Sequence, residues 1–173
     1  MFHTAERTTR TDHSENPIFQ RHLIAYHEAA KRISGNVLEI GCGEGYGIPM
    51  LAPNCESYTA IDKFQTEVSN LPGNAKFIQM SVPFLPDFAD NSFDFVVSFQ
   101  VIEHIEDDVT FLKEIFRVLK PGGTLIFTTP NRLMSLSRNP WHVREYTPTE
   151  MAKHIEKAFS TYDLQGVFGN EKV

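Results

Sequence analysis

A glycine-rich turn directly after a short apolar segment is the feature that most constrains the fold. Residues 37–40 are typical of a buried β-strand, and glycine then occupies positions 41, 43, 45 and 47. Glycine lacks a Cβ, so the chain can bend sharply there and a ligand can approach the backbone closely. In an open parallel sheet, ligands bind beyond the carboxyl ends of the strands, where the first strand meets its turn. The segment therefore predicts a ligand site at this turn.

The order of the remaining elements supports such a sheet. Apolar spacing and capping signals predict helices over 18–33 and 106–120, and a last helix beginning at Pro148 after Thr147 as its N-cap. Strands alternating with helices favour an α/β fold, a Rossmann-like, doubly wound and mostly parallel sheet with helices on both faces. The predicted strands are 37–40, 57–61, 75–80, 93–98, 124–128 and one more over 161–168.

Length and composition indicate one globular domain. The 173 residues are 41 % hydrophobic and 22 % charged, and we predict a flexible leader over 1–16 and a single domain over 17–173. No apolar run approaches the roughly 20 residues that cross a bilayer, and the leader lacks the apolar stretch of a secretory signal. Cys42 and Cys55 show no metal-ligand spacing. We therefore expect a soluble, cytoplasmic protein without a membrane partner.

The charge balance bears on the class of substrate. Sixteen Lys and Arg against twenty-two Asp and Glu give a net charge of −6, which would repel a polyphosphate backbone. We therefore expect a small-molecule substrate and no nucleic-acid partner.

The glycine spacing separates two classes of nucleotide cofactor. A dinucleotide site needs Gly-x-Gly-x-x-Gly, but this chain has Gly41-x-Gly43-x-Gly45 followed by Tyr46, which argues against NAD. Asp62 ends the second predicted strand, where an acid can accept hydrogen bonds from both hydroxyls of a ribose. The glycines and Asp62 could also serve only as structural turns. Their combination and order favour a site for a nucleoside-containing cofactor.

Four ordered segments resemble the class I S-adenosylmethionine-dependent methyltransferases, specifically the broad bacterial group that acts on small molecules. The resemblance spans residues 37–131 and implies S-adenosylmethionine as cofactor, with S-adenosylhomocysteine as product. The family fold normally ends in two antiparallel strands, so the resemblance also implies that the final one is missing. The matching segments are 37–45 with Asp62, 85–86 followed by 91–97, 118–123 and 128–131.

The resemblance also implies which residues hold the cofactor. The turn residues and Glu39 would face its amino-acid end, and Asp62 its ribose. Lys63 would lie beside the adenine, and the residues after the third strand would lie on the far side of the adenine. The residues after the fourth strand would lie under the sulfonium. The implied set is Glu39, Gly41, Cys42, Gly43, Gly45, Asp62, Lys63, Met80, Ser81, Val82, Phe99, Gln100 and Val101.

Methyl transfer from a sulfonium is an in-line displacement, so positioning and exclusion of water matter most. A hydroxyl or protonated amine must also lose a proton, and His104 is the candidate base because imidazole titrates near neutral pH. Alternatively, Glu103 and His104 only brace the next helix. Ubiquinone-pathway O-methyltransferases resemble this stretch but carry Glu-x-x-Glu-His for a metal. Here Gln100 replaces the first carboxylate, and we do not predict a metal.

The segment 139–146 follows the fifth strand, where this family receives its acceptor. Trp141 and Tyr146 could stack on a ring and Arg144 could hold an acidic group, or the segment could be a structural lid with Arg144 paired to a carboxylate such as Glu145. Two further expectations are a homodimer through an open sheet edge and, as the alternative function, a methyltransferase-fold binding module or subunit without catalysis.

Overall fold

The computed structural model describes residues 16–65, 70–135 and 139–167. The helices within them are α1 (Asn16–Ala30), α2 (Ile48–Leu51), α3 (Asp108–Val118) and α4 (Pro148–Ile155), with 3-10 turns at Ala52–Asn54, Ile102–His104 and Arg132–Met134. The strands are β1 (Asn36–Ile40), β2 (Ser57–Asp62), β3 (Ala75–Gln79), β4 (Phe93–Phe99) and β5 (Leu119–Thr128).

These strands form one sheet in the order β3-β2-β1-β4-β5, and every neighbouring pair is parallel. β1 lies at the centre, with Leu38 opposite Thr59 of β2 on one side and Val96 of β4 on the other. The reversal of strand order beside β1 brings the carboxyl ends of β1 and β4 together, which is where such folds bind ligands. The prediction of a Rossmann-like parallel sheet is confirmed.

Helices cover both faces of the sheet, as the sequence predicts. Leu38 and Ile40 of β1 pack in the core under α3 and α4, whereas Val37 packs in the core under α1 and α2. This alternation follows from the two-residue period of a strand. Because helices cover both faces, most residues of the central strands β1 and β4 are buried, as in other parallel sheets.

Helix α3 is shorter than the predicted span 106–120. Asp107 caps it by accepting a hydrogen bond from the backbone N–H of Thr110, and Leu119 already belongs to β5. The apolar spacing places Phe116 on the same helical face as Leu112 and Ile115, but Phe116 is 56 % exposed, with its ring centroid 5.6 Å from that of Phe159. The buried face of α3 is Phe111, Leu112, Ile115 and Val118.

Helix α4 begins where the capping signal predicts. The hydroxyl oxygen of Thr147 accepts a hydrogen bond from the backbone N–H of Glu150 at 3.2 Å, and the Glu150 carboxylate accepts one from the backbone N–H of Thr147 at 2.8 Å. This reciprocal pair is a complete capping box, with Pro148 in the first turn.

The prediction of a strand over 161–168 is wrong. The structure describes residues 161–167 of this span, and they have no regular secondary structure. Tyr162, Leu164 and Val167 are each about half exposed. Alternating apolar residues form a strand only when a neighbour supplies a hydrogen-bonding ladder, and within the described part of the chain this segment has none. Phe168 lies outside the described residues.

The predicted leader also falls outside them, except for Asn16, which begins α1. Among the residues described, no helix has both the length and the apolar character to cross a membrane.

The register of α3 can be tested with two substitutions on the same helix. We expect Leu112→Ala to lower the free energy of unfolding by about 3 kcal/mol, because it leaves a cavity in the core. Phe116→Ala should cost less than about 1 kcal/mol, because its side chain is largely exposed. Urea unfolding measures both, and equal losses would contradict this register.

Candidate active site

The glycine turn after β1 is held by the end of β2. The carbonyl of Ile61 accepts hydrogen bonds from the backbone N–H groups of Gly41 at 2.8 Å and Cys42 at 3.1 Å. Gly41, Gly43 and Gly45 all have positive φ, at 79°, 58° and 77°, in the left-handed region that glycine occupies without strain. The turn therefore has a fixed shape that depends on its glycines.

Two of these glycines serve different purposes. A Cβ on Gly41 would lie 2.3 Å from Cγ2 of Val101, so Gly41 allows β1 and the segment after β4 to approach closely. A Cβ on Gly43 would meet nothing within 4 Å, so its backbone faces open space. Gly43 is thus placed to let a ligand approach the backbone.

Asp62 lies at the carboxyl end of β2 and bonds to the turn. Its Oδ2 accepts a hydrogen bond from the backbone N–H of Gly43 at 2.9 Å, and its Oδ1 accepts one from Phe64 at 2.9 Å. A carboxylate offers about four lone-pair sites, so it can hold these two bonds and still accept from a ligand. The structural-turn and ribose-binding interpretations of Asp62 are therefore compatible.

Glu39 is buried and joins β1 to two other elements. Its Oε1 accepts a hydrogen bond from the Tyr26 hydroxyl of α1 at 2.6 Å, and its Oε2 accepts one from the Tyr58 hydroxyl of β2 at 2.7 Å. Burial raises the pKa of Glu39, and the two tyrosine hydrogen bonds oppose that rise. Burial raises the pKa of both tyrosines well above their ordinary range, and the nearby Glu39 carboxylate adds to that rise.

The residues expected around an adenine lie where β2 and β3 end side by side. The backbone N–H of Met80 donates to the carbonyl of Asp62 at 2.9 Å, and the Gln79 side chain donates to the carbonyl of Lys63 at 3.0 Å. Ser81 is exposed and Val82 is half-buried. The structure therefore brings Lys63, Met80 and Asp62 together at one edge of the sheet.

The end of β4 carries the third group of expected cofactor residues. Phe99 is buried, and its ring centroid lies 4.8 Å from that of Tyr26 in a T-shaped arrangement. Gln100 adopts a φ of 57°, which is uncommon outside glycine, and its backbone N–H and side-chain amide donate to the Thr128 carbonyl and hydroxyl of β5. Residues held in this conformation cluster at functional sites.

Glu103 and His104 form the 3-10 turn after β4, and the segment 139–146 lies on that turn. The carbonyl of Glu103 accepts hydrogen bonds from the backbone N–H groups of Val143 at 2.9 Å and Arg144 at 3.2 Å. The Glu103 side chain is fully buried, and its Oε2 accepts a hydrogen bond from the Thr129 hydroxyl at 3.0 Å. Nδ1 of His104 lies 3.0 Å from the carbonyl oxygen of Trp141.

His142 is a polar residue of this site that the sequence reasoning missed. Its Nδ1 lies 2.6 Å from Oε1 of Glu145, and its ring centroid lies 4.9 Å from that of His104. Burial alone would raise the pKa of Glu145, but hydrogen bonds with Ser135 and His142 outweigh burial and lower it. The available signal was the polar and aromatic composition of 139–146 itself, because nothing in the spacing links positions 104 and 142.

Two of the other predicted acceptor residues, Arg144 and Tyr146, meet at the buried carboxylate of Asp108. The Tyr146 hydroxyl donates to Oδ2 of Asp108 at 2.5 Å, Arg144 pairs with the same oxygen, and Nε2 of His154 lies 3.0 Å from Oδ1. Tyr146 is 4 % exposed and cannot stack on a ligand, whereas Trp141 is 53 % exposed and can. Arg144 therefore pairs with Asp108 and not with Glu145.

This network borders an open cavity of about 400 Å³. Charged side chains of both signs line it, among them Arg132, Arg144, Glu150 and Lys157. Arg132 pairs with Glu150 at 2.8 Å, so the charges are largely balanced within the protein. The cavity therefore shows no preference for an anionic or a cationic ligand.

The bracing role of Glu39 gives a stability prediction. We expect Glu39→Ala to lower the free energy of unfolding by about 3 kcal/mol, because it leaves two buried tyrosine hydroxyls without their acceptor. Tyr58→Phe, which removes one hydrogen bond, should cost clearly less. Denaturant unfolding of both variants checks this, and a wild-type stability for Glu39→Ala would refute the bracing role.

Comparisons with known proteins identify the family. The family model for a methyltransferase domain matches residues 38–127, which is more than half of the chain. A protein of Mycolicibacterium smegmatis named "Probable S-adenosylmethionine-dependent methyltransferase" is 38 % identical over 174 residues, covering 95 % of this chain and 68 % of its own length. The ubiquinone biosynthesis O-methyltransferase of Rickettsia canadensis is 28 % identical over 131 residues, covering 70 % of this chain and 54 % of its own length.

A solved structure agrees with the fold. A methyltransferase of Aquifex aeolicus that depends on S-adenosylmethionine superposes with a TM-score of 0.62 at 19 % identity, covering 85 % of this chain and 82 % of that one. The chain spans about two thirds of the length of the mycobacterial relative and about half of the rickettsial one. The chain belongs to the S-adenosylmethionine-dependent methyltransferase family, and S-adenosylmethionine is its cofactor.

Proposed function

We propose that this chain transfers the methyl group of S-adenosylmethionine to a hydroxyl or amine of a small molecule by in-line displacement, with His104 taking part in removal of the acceptor's proton. The observation that carries the proposal is the placement of two groups at one sheet edge. The first group is the glycine turn and Asp62, at the carboxyl ends of β1 and β2. The second group is Glu103, His104 and His142, beyond the carboxyl end of the neighbouring strand β4.

The cofactor, when bound, supplies an electrophilic methyl group on a sulfonium. We propose that Asp62 accepts hydrogen bonds from its ribose and that the backbone of the glycine turn lies against its amino-acid end. Gly43 supports this placement because no side-chain volume fills the space beside it. The other proposed contacts are Glu39, Gly41, Cys42 and Gly45 near the turn, Lys63, Met80, Ser81 and Val82 around the adenine, and Phe99, Gln100 and Val101 under the sulfonium.

The proposed acceptor lies between the end of β4 and the segment 139–146. Trp141 supports this position, because its exposed ring belongs to the same segment that bonds to Glu103 and His104. The rickettsial relative is named an O-methyltransferase, which favours a hydroxyl acceptor. A hydroxyl attacks well only after losing its proton. His104 lies where it can take part in removing that proton.

We also propose a small-molecule acceptor, a cytoplasmic location and the association of two copies. The net charge of −6 supports a small-molecule acceptor over nucleic acid. The two cysteines, Cys42 and Cys55, are not disulfide-bonded, which supports a cytoplasmic location, where thiols stay reduced. Within the described part of the chain no strand pairs with the outer side of β5, and we propose that two copies associate through this edge.

The role of Asp62 is testable by binding. We expect Asp62→Ala to weaken S-adenosylhomocysteine binding at least tenfold, about 1.4 kcal/mol, because it removes the ribose contact and the acceptor for Gly43. Calorimetric titration measures the dissociation constant, and exposed Asp87→Ala is the matched control. An unchanged dissociation constant for a folded Asp62→Ala would remove Asp62 from the site.

The role of His104 is testable by turnover. Small hydroxyl and amine acceptors are screened with methyl-labelled S-adenosylmethionine, and His104→Ala is assayed on an acceptor that reacts. We expect kcat to fall by about 10²-fold or more, with S-adenosylhomocysteine binding unchanged and exposed His27→Ala like wild type. Wild-type turnover by His104→Ala would contradict the proposal. Binding of the product with no turnover of any acceptor would favour the non-catalytic module.

A further inference from the structure

Three side chains with metal-ligating atoms converge at the acceptor side of the site. A carboxylate oxygen of Glu103 and one ring nitrogen each of His104 and His142 all lie within 4.8 Å of one another. Glu103 and His104 come from the turn after β4, and His142 comes from the segment after β5. The fold therefore brings together two imidazoles and one carboxylate from separate parts of the sequence.

The hydrogen bonds of the two histidines favour the same tautomer. Nδ1 of His104 faces the Trp141 carbonyl oxygen and Nδ1 of His142 faces the Glu145 carboxylate, so in each neutral ring Nδ1 carries the proton and donates it. Nε2 then carries the lone pair. The Asn139 side-chain amide lies 3.1 Å from Nε2 of His142 and donates to it, so a metal ion bound at this nitrogen would replace that hydrogen bond. A neutral imidazole with its other nitrogen bonded to a carboxylate or carbonyl is the usual form of a metal-binding histidine.

Glu103 adds the negative charge. Its side chain is fully buried, and buried charges are stable when they are hydrogen-bonded, paired or coordinated to a metal. The Thr129 hydroxyl bonds to one oxygen and fixes the orientation of the carboxylate. Two imidazoles and one carboxylate with remaining open positions are a ligand set for divalent first-row transition metals.

We propose that Glu103, His104 and His142 bind a divalent transition-metal ion with coordination positions left open toward the acceptor. Bonds of about 2.1 Å place two ligand atoms at most about 4.2 Å apart, so metal binding needs a small contraction of the cluster and displacement of the Asn139 amide from His142. Residues 100–104 by themselves do not predict a metal, because Gln100 stands where the related metal site has a carboxylate. Gln100 bonds to Thr128, and the third ligand is an imidazole from another segment.

The proposed metal deepens the proposed function, on which its catalytic role rests. A hydroxyl acceptor coordinates the ion through its oxygen and releases its proton to water, because the bound cation lowers the pKa of the hydroxyl. A lone pair of that oxygen then forms the bond to the methyl carbon. The carbon–sulfur bond breaks with its electrons going to sulfur, which gives a methyl ether and S-adenosylhomocysteine. His104 acts in this step as a metal ligand and not as a free base.

Metal binding can be measured without an acceptor. The untagged chain is stripped with a chelator and titrated with Co²⁺, whose visible absorption reports on its ligands, and Zn²⁺ is then added as competitor. We expect saturable one-to-one binding that Zn²⁺ displaces. His142→Ala and Glu103→Gln should each weaken Co²⁺ binding at least tenfold, and His27→Ala, an exposed histidine on α1, should bind like wild type.

A second variant covers the case in which a ligand substitution unfolds the chain. Glu145→Gln leaves all three ligands in place but weakens the hydrogen bond that orients His142, and we expect it to lower Co²⁺ affinity about tenfold. Folded wild-type chain without saturable binding, or His142→Ala and Glu103→Gln binding like wild type, would overturn the metal site.

S-adenosylhomocysteine titration of the same samples separates this inference from the proposed function. Binding of the product without Co²⁺ binding would reject the metal alone, and Co²⁺ binding without the product would reject the cofactor site alone.

Discussion

The attachment of the glycine turn to the end of β2 is the interaction on which the site depends. Three consecutive backbone N–H groups of the turn, at Gly41, Cys42 and Gly43, are bonded to the Ile61 carbonyl or the Asp62 carboxylate. These bonds fix the turn in one shape. Its glycine positions have positive φ angles, which residues with a side chain adopt only with strain. The same carboxylate that holds the turn is the one proposed to hold the ribose, so the geometry of the cofactor site and the stability of the turn are coupled.

Buried carboxylates support the site on both faces of the sheet. Glu39 bonds to two tyrosines and joins β1 to α1 and β2, and Asp108 bonds to Arg144 and Tyr146 and lies beside His154. Because Asp108 begins α3 and the other residues follow β5, this second network holds the segment 139–146 against the body of the domain. That segment in turn bonds to the backbone of Glu103 and places His142 beside His104. A structural network thus determines where the polar groups of the acceptor side lie.

Most of the fold was predictable because local patterns and tertiary structure agree. The apolar strands, the glycine turn, Asp62 and the Thr147 capping box all lie where the sequence predicts them. Two elements were not predictable from local pattern. The segment 161–167 has alternating apolar residues but no neighbouring strand to pair with in the described part of the chain, and Phe116 continues the apolar stripe of α3 beyond the width of the core.

The acceptor side was predicted only in part, for a related reason. His104 and Trp141 could be singled out from their own segments, but the proximity of His142 to Glu103 depends on hydrogen bonds between the segments after β4 and β5. Similarly, the pairing of Arg144 and Tyr146 with Asp108 is a long-range contact. Residue type and spacing indicate chemistry within one segment, whereas these contacts arise only when the sheet brings the strand ends together.

We propose that the glycine turn and Asp62 form a site for a nucleoside cofactor with a sulfonium and not for a dinucleotide. Calorimetric titration of the wild-type chain with S-adenosylhomocysteine, with NAD as the comparison ligand, tests it most directly. We expect saturable one-to-one binding of S-adenosylhomocysteine and no binding of NAD. Binding of NAD, or a folded chain that binds neither ligand, would contradict it.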